Sequence, residues 1–149
     1  MNHPREAEST ETIAARAGDT MFALLRAAHA LEDRLERALD AVQLSMAKFS
    51  VLSALAEAGQ PQTLGDLAQR LSCVRSNITQ LVDRMEADGL VRRVSVSSDR
   101  RIVLAELTTL GSERRAAGAT QIEAVRSRFG ESLSGDDRAV LERAMKQLC

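Results

Sequence analysis

Aromatic residues are nearly absent from this sequence of 149 residues, which contains three phenylalanines and neither tryptophan nor tyrosine. Any core must therefore be built from aliphatic side chains and methionine, a composition that favours helices. Hydrophobic residues make up 44% of the chain and charged residues 28%, as in ordinary globular proteins. This length allows one hydrophobic core rather than two, so we expect a single domain over residues 1–149.

Long apolar runs and closely spaced cysteines are missing as well. No stretch approaches the roughly 20 apolar residues that cross a bilayer, and the first ten residues lack the apolar segment of a signal peptide. Cys73 and Cys149 have no metal-ligand spacing, and the only histidines are His3 and His29. The sequence therefore predicts a cytoplasmic protein that binds no metal, no cofactor and no membrane.

Catalytic signatures are also absent. The sequence has no glycine-rich phosphate loop, no nucleophile elbow and no pair of histidines at metal-binding spacing. A lone histidine such as His29 is more typical of a packed or partly exposed side chain than of a ligand. We therefore expect a protein that is not an enzyme.

The net charge of −1 conceals an uneven distribution of charge. Residues 1–45 carry five basic and eight acidic side chains, whereas residues 63–105 carry seven basic and five acidic ones. Within the second segment, the four arginines of residues 92–101 are opposed only by Asp99. The positive charge is local, and a phosphate-binding surface would need it there.

Apolar residues recur at three- and four-residue spacing from Met21 to Val42, which predicts one long helix that begins at about Asp19. The first fifteen or so residues are polar and mixed, and we expect them to form a frayed arm. The apolar stripe of this helix has no partner close in sequence. It must therefore pack against distant parts of the chain or against another chain.

Shorter helices follow, each marked by a capping residue. Ser45 begins a helix that ends at Gly59, and Thr63, with Asp66 three residues later, begins the next. After a tight turn, a further helix ends at Gly89.

The pattern then changes from helix to strand and back. Two β-prone runs, 90–96 and 101–107, flank a polar turn and predict a hairpin directly after the helix. A long helix follows from about Thr109, and Ser134, with Asp137, begins a last one. The sequence predicts a mainly α fold with a small β-hairpin wing.

Two helices joined by a tight turn and followed by a basic hairpin are typical of a winged helix-turn-helix. The second helix of such a pair enters the major groove of DNA, where its N-terminal side chains reach the base edges. We expect Ile78 and Leu81 to face the first helix, and an ordinary solvated helix face is the alternative for the polar residues. The polar residues expected to face DNA are Arg75, Ser76, Asn77, Thr79 and Gln80.

The turn of the hairpin holds Asp99, Arg100 and Arg101. A solvated loop with an internal ion pair would account for these residues. However, a slender basic hairpin beside a recognition helix suits the minor groove, whose potential attracts arginine. The two signals in this order favour DNA binding over the alternative function, a dimeric winged-helix module for protein interaction, which has no need of arginines at the wing tip.

The stretch from Thr63 to Gly111 resembles the core of the multiple-antibiotic-resistance regulator (MarR) family. The most specific match is Asp99-x-Arg101 followed by Leu107-Thr108-x-x-Gly111, the pattern of the family's wing and of the start of its next helix. Leu81 to Glu86, with Gly89-Leu90-Val91, resembles the end of its recognition helix.

The resemblance implies a homodimer with dimerisation helices at residues 1–44 and 109–149 and a winged helix-turn-helix at residues 45–108. It implies a transcriptional regulator that binds a palindromic double-stranded operator, a repressor released by a small-molecule effector whose binding residues the sequence does not identify. In the wing, Arg101 is expected to reach into the minor groove while Asp99 orients it.

Two further arginines, Arg84 and Arg100, complete the expected DNA contacts.

One departure from the family concerns Val74, which stands where the family often has a serine or threonine that caps the recognition helix. Ser72 and Ser76 are the alternative caps.

A few other residues invite a functional interpretation. Cys73 lies in the turn of the motif, where some members of the family sense oxidants, but free cysteine behaves as a small hydrophobe, so we expect it to pack. For Phe22, Met46 and Phe49 we expect packing in the core rather than the lining of an effector pocket.

Overall fold

In a computed structural model of the chain, the backbone is described for residues 10–96 and 99–148 and the side chains for residues 18–95 and 103–148. The chain divides into two compact units between Arg34 and Leu35. The single domain expected from the sequence, with its internal boundaries, therefore stays a prediction. The described residues are mainly helical with a small three-stranded antiparallel sheet, which confirms the predicted fold class.

Six helices and three strands follow one another in the described part of the chain. No helix among these residues is both long and apolar enough to span a membrane. The elements in chain order are α1 (Thr10–Asp40), α2 (Met46–Ala58), β1 (Gln62–Thr63), α3 (Leu64–Arg70), α4 (Arg75–Ala87), β2 (Val91–Val96), β3 (Asp99–Leu107), α5 (Thr109–Glu131) and α6 (Gly135–Leu148).

The first helix begins earlier than the apolar periodicity predicts. It begins at Thr10 rather than at Asp19, so the expectation of a frayed arm is wrong for residues 10–15. Alanine, which occupies three of residues 10–18, has high helix propensity whether or not it is buried. Periodicity detects a repeated apolar stripe, and the sequence of residues 10–18 offers only Ile13 as a large apolar side chain, so it gives no such signal.

Helix ends in the central region follow the predicted caps. The Ser45 hydroxyl accepts a hydrogen bond from the backbone N–H of Lys48 at 3.3 Å, and Gly59 ends α2 in the left-handed conformation at φ 64°. The Thr63 hydroxyl accepts from the N–H of Asp66 at 3.0 Å. These side chains satisfy first-turn N–H groups that have no partner within the helix.

The last helix follows its predicted capping box in the same way. The Ser134 hydroxyl accepts from the backbone N–H of Asp137 at 3.1 Å and donates to its carboxylate at 2.6 Å. The cap is local, so three residues of sequence suffice to identify it.

The sheet has the order β1-β3-β2, in which both neighbouring pairs are antiparallel. β2 and β3 form the predicted hairpin, in which Arg92 lies opposite Glu106, and the register is irregular between Ser95 and Val96. β1 contains only Gln62 and Thr63, a length too short to show an alternating pattern in the sequence.

The buried residues of the hydrophobic core range in sequence from Leu39 to Ala105. Among the described residues, all of them are aliphatic or methionine. Met46 and Phe49 pack against it as expected, but Phe22 is 56% exposed, so the prediction that it packs in the core is wrong for a single copy. The largest fully buried side chains are Leu39, Leu52, Leu67, Ile78, Met85, Val51, Val82 and Val91.

The start of α5 lies directly against the segment that follows α4. The Thr108 hydroxyl donates to the carbonyl oxygen of Gly89 at 2.7 Å and accepts from the N–H of Gly111 at 2.9 Å. A Cβ atom at position 111 would overlap the Leu90 carbonyl oxygen, so only glycine permits this approach. These contacts connect the start of α5, the helix after the wing, to the segment that ends α4, the helix before the wing.

Candidate nucleic-acid interface

The two helices of the predicted motif, α3 and α4, are joined by a short turn. Ser72 adopts a left-handed conformation at φ 50° in this turn, and the N–H of Cys73 donates to the carbonyl oxygen of Ala68 at 2.9 Å. Leu67 of α3 and Ile78 of α4 are both buried in the core beneath it. This packing holds the two helices together and directs the outer face of α4 toward solvent.

The N-terminal half of α4 exposes the polar residues expected from the sequence. Ile78 is buried as predicted, and Leu81 packs partly buried against the core. Thr79 is half-buried, and its hydroxyl donates to the carbonyl oxygen of Arg75 at 3.0 Å, so only its lone pairs remain for a partner. The fully exposed polar residues on this part of the helix are Arg75, Ser76, Asn77 and Gln80.

Two arginines of α4 have no carboxylate partner among the side chains that the structure describes. Among the residues whose side chains are described, Arg75 and Arg84 take part in no ion pair. Both are exposed, and the Arg84 Nε donates to the carbonyl oxygen of Gln80 at 3.3 Å, which holds it along the helix. Their positive charges are therefore available to an anion.

The N-terminus of α4 has no side-chain cap among the described residues. Val74 occupies the N-cap position, and no side chain of the described residues makes a capping hydrogen bond there. Neither Ser72 nor Ser76 replaces the missing cap, so the departure from the family pattern has a structural consequence. Without an acidic residue in the first turn, the free N–H groups present a local positive potential that favours a phosphate.

Arg92 and Arg93 lie on β2 and bind carboxylates. The Arg92 Nε lies 2.6 Å from the Glu106 carboxylate across the hairpin. The Arg93 guanidinium lies 2.5 Å from Asp83 and 2.9 Å from Glu86, both on α4. Burial acts to lower the pKa of Arg93, but the hydrogen bonds and charges of the two carboxylates outweigh it and raise the pKa above its ordinary value.

These ion pairs correct the expectation drawn from the charge pattern. The arginines of residues 92–101 are not opposed by Asp99 alone, because three carboxylates from other parts of the chain neutralise two of them. Counting charges along the sequence cannot identify partners that lie across a hairpin or on a neighbouring helix. Among the described side chains of residues 45–108, the basic residues without a carboxylate partner are Arg75 and Arg84 of α4 instead.

The wing residues Asp99, Arg100 and Arg101 have side chains outside the described residues. The backbone of β3 begins at Asp99, opposite Val96 of β2, which is consistent with a position near the end of the hairpin. The expected role of these three residues in the minor groove stays a prediction.

Cys73 is an exposed free cysteine, so the expectation that it packs as a small hydrophobe is wrong. The whole turn from Ser72 to Val74 is exposed, and the neighbouring core is formed by the helices on either side of it. The residue type predicts burial, but its position in a protruding turn prevents it.

Comparison with known proteins identifies the architecture. A sequence model of the MarR family matches residues 44–103. AbsC, a MarR family transcriptional regulator from Streptomyces coelicolor, is 31% identical in sequence, with 97% of this chain and 95% of AbsC covered and a TM-score of 0.69. The chain belongs to the MarR family.

Two further relatives extend the comparison of this MarR protein. The transcriptional activatory protein BadR from Rhodopseudomonas palustris is 34% identical over 119 residues, which are 78% of this chain and 67% of BadR. The transcriptional repressor CouR, solved bound to a 23-mer DNA duplex, is 29% identical, with 85% of this chain and 89% of CouR covered and a TM-score of 0.73.

These relatives are transcriptional regulators rather than enzymes. The chain is accordingly a DNA-binding transcriptional regulator of the MarR family, whose members are dimers. The protein-interaction alternative considered from the sequence is therefore not the better account. Which side chains contact DNA stays a prediction, to which the geometry of α4 adds detail.

Proposed function

We propose that a homodimer of this chain binds a palindromic operator, with α4 of each copy in the major groove and the β2–β3 wing in the adjacent minor groove. The observation that carries this proposal is the outer face of α4. Exposed polar side chains and two unpaired arginines occupy that face, while Ile78, Val82 and Met85 anchor the opposite face in the core.

Base recognition is assigned to the first two turns of α4. Arg75 has the geometry for a bidentate contact with guanine, and Asn77 and Gln80 have amides that can pair with adenine. Thr79 offers an acceptor only, because its hydroxyl proton is directed to the helix backbone. These side chains are exposed or half-buried on the first two turns of α4, outside its buried face.

Phosphate contacts are assigned to the two ends of the same surface. Ser76 and the uncapped N–H groups beside it suit one phosphate, and Arg84 suits another two turns later. In the wing, Arg100 is assigned to the backbone and Arg101 to the minor groove, with Asp99 orienting Arg101.

The regulatory outcome we propose is repression that a small-molecule effector relieves, in the cytoplasm where operator DNA is found. CouR, which is described as a repressor, supports this direction, whereas BadR, described as an activatory protein, indicates the other. An effector would release DNA by favouring a form of the dimer whose recognition helices no longer match the two half-sites.

The proposal is tested by selecting bound sites from random duplexes with the full chain. We expect a palindrome whose half-sites lie about one helical turn apart, and an affinity that falls steeply as the salt concentration rises. Failure to enrich any sequence, together with an affinity that salt does not change, would contradict DNA binding.

Variants then locate the surface. Arg75→Gln and Arg84→Gln should each weaken binding, whereas Arg143→Gln, which removes an exposed arginine from the polar face of α6, should not. Arg101→Ala should weaken binding most where A·T-rich flanks narrow the minor groove. Equal effects of all four changes would show that only net charge matters.

A further inference from the structure

Arg93 connects the recognition helix to the strand that leads into the wing. Its guanidinium contacts Asp83 at 2.5 Å and Glu86 at 2.9 Å, and its backbone N–H donates to the other carboxylate oxygen of Glu86 at 2.9 Å. Its side chain is only 26% exposed. One residue of β2 thus makes three polar contacts with α4.

The backbone contact has a separate structural reason. β2 lies at the edge of the sheet, so the N–H groups that point away from β3 have no strand to pair with. Glu86 supplies an acceptor for one of them at Arg93. The same carboxylate therefore closes part of the open edge and binds the guanidinium.

The arrangement restricts how α4 can move. Asp83 and Glu86 lie three residues apart, on the same face of the helix. The planar guanidinium has donors in fixed directions, and a rotation of the helix or a slide along β2 would break at least one contact. Asn77 and Gln80 are on the same rigid helix, so the contacts of Arg93 also fix the direction in which those amides point.

We infer that Arg93 is a positioning residue for operator recognition, which holds α4 in a set orientation relative to the wing and does not itself bind phosphate. The inference rests on the proposed function. The competing interpretation follows from the sequence alone. In that interpretation, Arg93 belongs to a basic segment that contacts the DNA backbone.

The two interpretations differ most clearly for a variant that removes the contacts without changing the net charge. Glu86→Gln combined with Arg93→Gln is such a variant, and binding is measured on the selected operator and on an unrelated duplex over a range of salt concentrations. We expect operator affinity to fall roughly tenfold, the size of coupling found within one hydrogen-bond network. Affinity for unrelated DNA and the salt dependence should match the parent.

The single variants provide the second measurement. Glu86→Gln makes the surface more positive, yet it should weaken operator binding, as Arg93→Gln should, and the double variant should be no weaker than the worse single. Arg84→Gln is the matched control. For this variant the slope of log affinity against log salt should become less negative by about one on both duplexes.

Three results would overturn the inference. A decrease of about one in the magnitude of the salt slope of the double variant would make Arg93 a phosphate contact. Tighter operator binding by Glu86→Gln would lead to the same conclusion. Equal losses on both duplexes would indicate a general loss of folded protein. Should the double variant not fold, as judged by circular dichroism, Glu86→Gln alone decides the question. A parent chain that selects no operator would instead refute the proposed function.

Discussion

The centre of the chain buries most of its large apolar side chains, whereas the two ends expose many of theirs in a single copy. The buried core lies between Leu39 and Ala105. In contrast, α6 has no buried residue among its described side chains, and residues 19–30 of α1 are exposed throughout. The large apolar side chains exposed at the two ends are Met21, Phe22, Leu24, Leu25, Leu110, Phe129, Val140, Met145 and Leu148.

This difference indicates how the molecule is divided by task. The central helices and strands form their core within one copy, because they cover one another. The ends leave apolar surface that a monomer would expose to water, which is costly unless a second surface covers it. Since regulators of this family are dimers, we expect the partner copy to cover it.

The largest expected effect concerns the centre. Leu52 is fully buried, and Leu52→Ala should lower the free energy of unfolding by about 2–5 kcal/mol through lost burial and a cavity. Urea unfolding at one fixed protein concentration measures it. The matched change Leu148→Ala, at a site 69% exposed in a single copy, should cost less than Leu52→Ala at the same protein concentration, because it removes contacts with the partner copy only. Similar losses at both positions would break the distinction between centre and ends.

The next effect concerns the ends. Phe22→Ser should weaken dimerisation by about 1.5–3 kcal/mol, the value of burying a large apolar side chain against a second copy. Sedimentation over a range of protein concentrations measures the dissociation constant, and Glu32→Ser, an exposed polar site on the same helix, is the control. A Phe22→Ser protein that dimerises as tightly as the parent would show that this face is not an interface.

A third effect concerns specificity within the centre. Asn77→Ala and Gln80→Ala should each reduce discrimination at one or two base pairs by roughly 1–3 kcal/mol while affinity for unrelated DNA stays nearly unchanged. Competition between the selected operator and its single-base variants measures this. Ser127→Ala, an exposed site on α5, should leave discrimination intact. Uniform weakening on all duplexes would assign the two amides to the DNA backbone.

The smallest expected effect is a gain. Val74 already has the extended backbone of an N-cap, at φ −69° and ψ 135°, so Val74→Ser should stabilise the protein by about 0.5–1 kcal/mol by capping α4. Thermal unfolding of Val74→Ser beside Val74→Ala separates the new hydrogen bond from the loss of an exposed apolar side chain. No difference between the two variants would mean that the serine does not cap.

The features that sequence predicts here are those that depend on neighbours along the chain. Caps at Ser45, Thr63 and Ser134 need only three further residues, and the burial of Ile78 follows from helical periodicity. The order of helices and hairpin follows in the same way, so the fold class could be predicted before any coordinates.

The features it misses depend on contacts between distant residues. The strand pairing of Gln62 and the ion pairs of Arg93 require knowing which elements meet in space. Cys73 shows the complementary error, because residue type suggested burial where the path of the chain dictates exposure. The face of α4 was predictable, but which of its charges are neutralised was not.

The contact between Gly111 and the Leu90 carbonyl oxygen also limits how this regulator can evolve. Every substitution at a glycine codon that changes the residue adds a Cβ atom, and at position 111 even the smallest would collide with backbone. Gly135, by contrast, has no atom within 4 Å of an added Cβ. Among descendants of this gene, position 135 is therefore free to diverge, whereas position 111 should remain glycine for as long as α5 starts against the end of the recognition helix.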